Sequence, residues 1–312
     1  MKKLILSITG ILLLLSLSTY IFIPKIIVVN KSVIIENNLQ GLHRSLAESA
    51  NWLKWWPEPV TENKKILNEN VYSVTDHTYS SVLVEIKNEN TLVKSSLNLI
   101  PLSTDSVKLE LSAEIPGSYN PYKRLHAYFY ATTLRKDFTK ILNAAKDFYK
   151  STEAVYGIDI RRDTVKNSSL VFTTDSSKGY PTSRKIYTML EDIRKYIKSK
   201  NAQITDSPML NIYTKDSIYY LTRVAIPTDR KLVSSGKIEY RWMLGGGNIL
   251  SCEIKGSNKK IDSAFAMVEQ YVEDYKLIAP AIPFYTLVTN RLNEKDSTRW
   301  ITKIFYPIMY FK

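Results

Sequence analysis

A single cysteine, Cys252, excludes an internal disulfide and every site built from several thiolates. Its strand-like neighbours Ile249, Leu250 and Ile254 mark it as a small buried residue rather than a nucleophile. Histidine is nearly as scarce. His43, His77 and His126 stand far apart with no HExxH-type spacing, so neither a metal nor a cofactor is expected. Paired catalytic carboxylates are also missing: Glu110 and Glu114 share one strand face beside Lys108, which reads as a solvated stripe, and no catalytic residue is assigned. The net charge is +13, yet no five-residue basic block, aromatic-basic RNA motif or helix-turn-helix pattern appears, so no nucleic-acid partner is expected. Gly245-Gly246-Gly247 has no Lys-Ser/Thr after it, which makes it a flexible connection and not a phosphate loop.

What the chain does contain is room for two ordinary domains: 312 residues, 44% hydrophobic and 23% charged. Ahead of them lies one long apolar run, Leu4–Ile23, uncharged and long enough at about 1.5 Å per residue to cross a bilayer core of about 30 Å. The run reads as an uncleaved anchor. Cleavage of a signal peptide is the alternative, disfavoured by the bulk of Tyr20-Ile21-Phe22-Ile23 after the small residues Ser16 and Ser18. Lys2 and Lys3 would stay in the cytoplasm, which predicts a single-pass inner-membrane protein with its soluble domains extracytoplasmic, although Lys25 and Lys31 weaken the asymmetry. The expected division is a transmembrane anchor over 1–24, one domain over 25–152 and another over 153–312; the oligomeric state is left open.

The first domain opens on a β-rich stretch, Lys25–Ile35, followed by a helix capped by Asn37 or Asn38 that runs through Leu39, Leu42, Leu46 and Ala50. Strands are expected at Val71–Val74, Tyr79–Ile86, Thr91–Leu99 and Ser106–Ile115, and a long helix at Leu125–Tyr149 closes an α+β layer. Trp52, Trp55 and Trp56 beside Pro57 suit the edge of a core. The element order and the stretch Asn51-Trp52-Leu53-Lys54-Trp55-Trp56-Pro57 resemble the START-like polyketide cyclase superfamily (SRPBCC). That resemblance implies a helix-grip fold with an apolar cavity between helix and sheet.

The second domain is written twice. Ile186, Leu190, Ile193, Tyr196 and Ile197 form the apolar stripe of a helix over about 182–200, and the same stripe returns 75 residues later as Ile261, Phe265, Val268, Tyr271 and Val272. Pro208 returns likewise as Pro283, whereas Arg223 and Pro227 return as Lys303 and Pro307 with an offset of 80, so the second hairpin has the longer loop. Each copy reads strand–helix–hairpin. The run Met243–Leu250, then Lys255-Gly256, then Trp300-Ile301-Thr302-Lys303-Ile304-Phe305-Tyr306-Pro307 resembles the GyrI-like small-molecule binding domain, the effector-binding domain of AraC-type regulators. The resemblance implies two β-α-β-β units around a ligand groove. It usually places an acid where Lys303 stands; with Lys303 and its repeat mate Arg223 there, the expected ligand is anionic or neutral. Expected ligand-binding residues are Tyr180, Tyr213, Arg223, Tyr285, Trp300 and Lys303. The expected function is a membrane-anchored, non-catalytic small-molecule binding protein. A cyclase- or hydrolase-type enzyme using the first domain's cavity is the alternative, and a carboxylate or histidine hydrogen-bonded inside that cavity would favour it.

Overall fold

The computed structural model describes residues 10, 11, 14, 16–60, 64–89, 91–166, 168–214, 216–243 and 245–309. Most of the first half of the apolar run Leu4–Ile23 therefore lies outside the described residues, and among the described residues no helix is long and apolar enough to cross a membrane. The fold is mixed α+β, in two compact units, Met1–Val155 and Tyr156–Lys312.

The first unit is a six-stranded antiparallel sheet with a long helix packed on it. Its strands are β1 (Ile26–Ile35), β2 (Lys65–Leu67), β3 (Asn70–His77), β4 (Ser81–Lys87), β5 (Leu92–Ser103) and β6 (Ser106–Pro116), in the order β1-β6-β5-β4-β3-β2. Strict alternation decides which face is inside: Val82, Val84 and Ile86 on β4, and Val107, Leu109, Leu111, Ala113 and Ile115 on β6, are all buried. Bulges at Val74/Asp76 and Pro101/Ser103 interrupt the register, and bulges add local twist and bend.

Asn38, not Asn37, caps helix α1 (Leu39–Ala47), its side chain accepting from the backbone N–H of Gln40 at 2.7 Å and Gly41 at 3.4 Å. The chain then tightens into a 3₁₀ turn, Ser49–Lys54, and the three tryptophans cluster with ring centroids 5.0–6.2 Å apart, Trp52 stacked on Trp56 and Trp55 tilted against both. Trp52 Nε1 donates to Leu46 O and Trp56 Nε1 to Ile66 O, so both indoles close the core while their donors are satisfied.

Helix α2 (Pro121–Phe148) starts four residues before its expected first turn because Asn120 caps it and Pro121 occupies the first helical position, where a missing N–H costs nothing. Its buried stripe, Ala131, Leu134, Phe138, Ile141, Leu142 and Ala145, lies on β1 and β6.

The second unit is one eight-stranded antiparallel sheet. Its strands are β7 (Arg161–Thr164), β8 (Ser169–Lys178), β9 (Met209–Thr214), β10 (Tyr219–Pro227), β11 (Ile238–Trp242), β12 (Asn248–Lys255), β13 (Phe284–Leu287) and β14 (Ile301–Pro307). Helix α3 (Ser183–Ser199) follows β8 and helix α4 (Asn258–Asp274) follows β12. The order β11-β8-β10-β9-β13-β14-β12-β7 reads the same from either edge under exchange of the two copies. At its centre Leu210 pairs with Tyr285, residues that are themselves repeat mates. Two short strands were not expected from the sequence. β7 precedes the first copy but pairs with β12 of the second, and β11 precedes the second copy but pairs with β8 of the first. Each copy thus lends its leading strand to the other's outer edge.

Candidate ligand-binding site

Helices α3 and α4 cover one face of the second unit's sheet. Thr222, Val224 and Ile226 on β10 and their mates Thr302, Ile304 and Tyr306 on β14 point toward the helices and are buried. The intervening residues face the other way. There, β7, β12, β14 and β13 with the start of β9 enclose a groove of about 780 Å³. Its floor includes Met209, Ile249, Phe284 and Phe305, and the two phenylalanine rings stack at 5.1 Å with planes 19° apart. Around them the lining carries four cations, Arg161, Arg162, Lys166 and Lys303, and four acids, Asp159, Asp163, Asp206 and Glu253. The signs are interleaved: Arg161 lies 2.5 Å from Asp159, and Lys303 Nζ lies 3.5 Å from Glu253.

Glu253 beside Lys303 has a structural precedent in the first copy. The burial pattern over Leu170–Thr174 recurs over Ile249–Glu253, an offset of 79, and Thr174 pairs with Arg223 as Glu253 pairs with Lys303. The repeat relation between Arg223 and Lys303 therefore holds in the sheet. Only the second copy adds an acid next to its cation. Cys252 also borders the groove, and burial pushes its thiol up to about 12, which keeps it protonated and unreactive at neutral pH.

The six residues expected to bind ligand divide between the two faces. Lys303 lines the groove. Arg223 shares its face but donates from NH1 to Asn211 Oδ1 at 2.9 Å and is not part of the groove lining, and Tyr213 stands half-exposed two residues along β9 from Asn211. Tyr180, Tyr285 and Trp300 lie toward the helices. The Tyr285 hydroxyl bonds to that of Tyr180, and burial raises the pKa of both. Tyr180 meets Tyr220 edge-on at 5.5 Å.

At the heart of this second cluster is Arg291, which sequence reasoning missed. It is 8% exposed, donates from NH1 to Asn258 Oδ1 at 2.8 Å and from NH2 to Thr302 Oγ1 at 3.0 Å, and lies 4.5 Å above the Trp300 ring. Its backbone N–H donates to the Tyr187 hydroxyl at 3.0 Å. Burial lowers its pKa. The change of offset from 75 to 80 was the available signal, because it places Arg291 in the longer loop of the second hairpin.

In the first unit a carboxylate sits in the interior. Asp137 on α2 is fully buried and accepts from Asn68 Nδ2 at 2.5 Å, Tyr72 OH at 2.9 Å and Asn70 Nδ2 at 3.1 Å. Burial raises its pKa against the pull of those donors, and burial with the Asp137 charge brings Tyr130 up to about 12. Both oxygens accept from the β2–β3 hairpin, so this group braces α2 against the sheet. Among the described residues no group of three or more His, Cys, Asp or Glu is placed to hold a metal ion.

No family model matches the chain, and no curated protein matches it. Among solved structures, the EcmrR C-terminal domain is similar at 13% identity over 49% of this chain and 99% of that one, with a TM-score of 0.42. A hydrolase encoded by lin2189 from Listeria innocua is similar at 10% identity over 48% of this chain and 91% of that one, with a TM-score of 0.36. The Zhui aromatase/cyclase from Streptomyces sp. R1128 is similar at 13% identity over 40% of this chain and 94% of that one, with a TM-score of 0.31.

Proposed function

We propose that the second unit is a receptor for a small organic molecule bound on the open face of its sheet, and that the apolar run Leu4–Ile23 holds the chain in a membrane with both units on the extracytoplasmic side. The observation that carries the receptor reading is the groove itself. Its volume of about 780 Å³ suits a small ligand, and it joins an apolar aromatic floor to a few convergent polar groups. A flat ring can extend the stack of Phe284 and Phe305. The charge balance shifts the expected ligand. Arg223 turns to Asn211, Lys303 is matched by Glu253, and the lining holds cations and acids in equal number, so a neutral or dipolar aromatic fits better than an anion. No group in the groove is set up as a general base toward a nucleophile, so the reading is one of binding without turnover.

Three probes of one shape and different charge test this: indole, the zwitterion tryptophan and the anion indole-3-acetate. With 4-fluorophenylalanine in the full chain, the Phe305 fluorine resonance, assigned through Phe305→Leu, should shift saturably with indole and tryptophan and less with indole-3-acetate. Lys303→Glu should weaken the anion further. A Phe305 resonance that none of the three moves overturns the receptor reading.

A further inference from the structure

The N-terminal end of α2 in the first unit carries a surface that ligand binding does not use. Tyr119 and Tyr122 are 80% and 77% exposed, and Phe129 is 60% exposed. Tyr122, Leu125 and Phe129 follow one another at i, i+3 and i+7, hence on one helix face, over about 10 Å of rise. Ile21 and Phe22, 74% and 80% exposed, come just before Ile23, whose carbonyl is held by Arg124 in the first turn of the same helix. A single exposed apolar residue needs no explanation, but a series of them around the start of α2 does.

The sequence next to them is rich in cations: residues 115–136 contain no aspartate or glutamate but hold Lys123, Arg135 and Lys136 besides the buried Arg124, and Lys25 Nζ lies 5.7 Å over the Tyr119 ring. Large aromatic rings with a polar tip, set among cations, match the boundary between lipid tails and anionic headgroups.

This surface is fastened to the last residues of the apolar run, Tyr20 and Ile23. Ile23 is buried in the first unit's core, and its carbonyl accepts two hydrogen bonds from the Arg124 guanidinium, at 2.9 Å from Nε and 2.5 Å from NH2. The same guanidinium covers the Tyr20 ring at 5.0 Å, and the Tyr20 hydroxyl donates to the Tyr119 carbonyl. Gly117 N–H donates to Lys25 O at 2.7 Å, and a β-carbon there would come within 2.9 Å of that oxygen, so the loop before α2 lies against the chain at Pro24 and Lys25. A flexible tether would leave the unit's distance from the bilayer undefined; this stapled one defines it.

We propose that Tyr119 and the face of α2 from Tyr122 to Phe129 form a second membrane contact, seated in the headgroup layer of an anionic bilayer at the depth where Ile21 and Phe22 leave it. The proposal rests on the anchoring of the chain by Leu4–Ile23 and adds that the first unit lies on the membrane rather than above it.

The full chain with Cys252→Ser is labelled with an environment-sensitive nitrobenzoxadiazole dye at Tyr122→Cys, Phe129→Cys or, as a control, Asp105→Cys. Asp105 lies in the β5–β6 turn, and its neighbour Thr104 contacts Asn38 at the end of the unit where α2 finishes. The protein is reconstituted in vesicles of phosphatidylethanolamine and phosphatidylglycerol. Blue-shifted emission at 122 and 129, quenched by lipids spin-labelled near the headgroup, with neither effect at 105, is the expected result. If the protein floats with the vesicles but 122 and 129 emit like 105, the second contact is wrong and the anchor stands. If the protein does not float, both fail. A blue shift in lipid-free detergent that grows with protein concentration shows a second copy covering the patch and overturns the lipid assignment.

Discussion

Asp137 places a carboxylate where its charge is opposed by burial and supported by three neutral donors, with no cation bonded to it. Burial wins, and the folded-state pKa rises above the ordinary value of 3.8. A folded protein that holds this proton longer than the unfolded chain is favoured by low pH. Stability from this group is fully present below the unfolded pKa and is lost as pH rises through the folded one, the reverse of the usual carboxylate contribution to acid unfolding. Glu110, bonded to Lys108 at 2.6 Å, has the opposite, lowered shift, so the test is a difference between proteins. In urea unfolding across pH 4 to 8, Asp137→Asn should lack the fall in stability that the parent protein shows above the ordinary carboxylate range. It should also lose about 1–3 kcal/mol near pH 4, because an amide presents a donor to at least one of Asn68, Asn70 or Tyr72. Parallel pH profiles for the two proteins would refute the assignment.

Among the secondary-structure elements, helices and long strands were legible because their side-chain period announces which face is buried: α3 and α4 repeat one stripe, and β4 to β6 alternate cleanly. β7 was not, since Arg161-Arg162-Asp163-Thr164 is a wholly exposed edge strand without an apolar face to reveal it. The candidate site was read less well for a related reason. Tyr285 and Lys303 lie on neighbouring strands, but Tyr285 pairs with Ile304, and a single step of register sends it to the helix side and Lys303 to the groove. Apolar residues line both faces here, so composition alone cannot fix that parity. Loops yielded least: nothing local distinguishes Arg291 from a solvated arginine, and nothing in Pro116-Gly117-Ser118 shows that Gly117 touches residues over 90 positions earlier. The contact makes a prediction. Gly117→Ala forces a β-carbon to 2.9 Å from Lys25 O and 3.1 Å from Pro24 O, both backbone atoms that cannot rotate away. It should destabilise the first unit by about 1–3 kcal/mol, seen as a fall of several degrees in Tm. A Tm equal to that of the parent protein would mean that this close approach is absent in solution.

The molecule as a whole has a core in each unit, and the large cluster from Ile23 to Tyr149 draws on no residue beyond the first unit. Burial on this scale gives each unit its own cooperative transition, so the chain should unfold in two steps. It carries its own reporters for both. Trp52, Trp55 and Trp56 are buried in the first unit, and Cys252, the sole thiol, is 5% exposed in the second. Tryptophan emission during urea unfolding therefore follows mainly the first unit, and the rate at which Cys252 takes up a thiol reagent follows the second. Asp137→Ala, which strands three donors, should move the tryptophan midpoint to lower urea and leave Cys252 protection where it was. Ile304→Ala removes a fully buried side chain on β14, an interior strand of the second sheet, and should cost about 2–5 kcal/mol in the thiol measurement alone. If either substitution shifts both reporters by the same amount, the two units unfold as one, and the groove's properties could not be assigned to the second unit without the first.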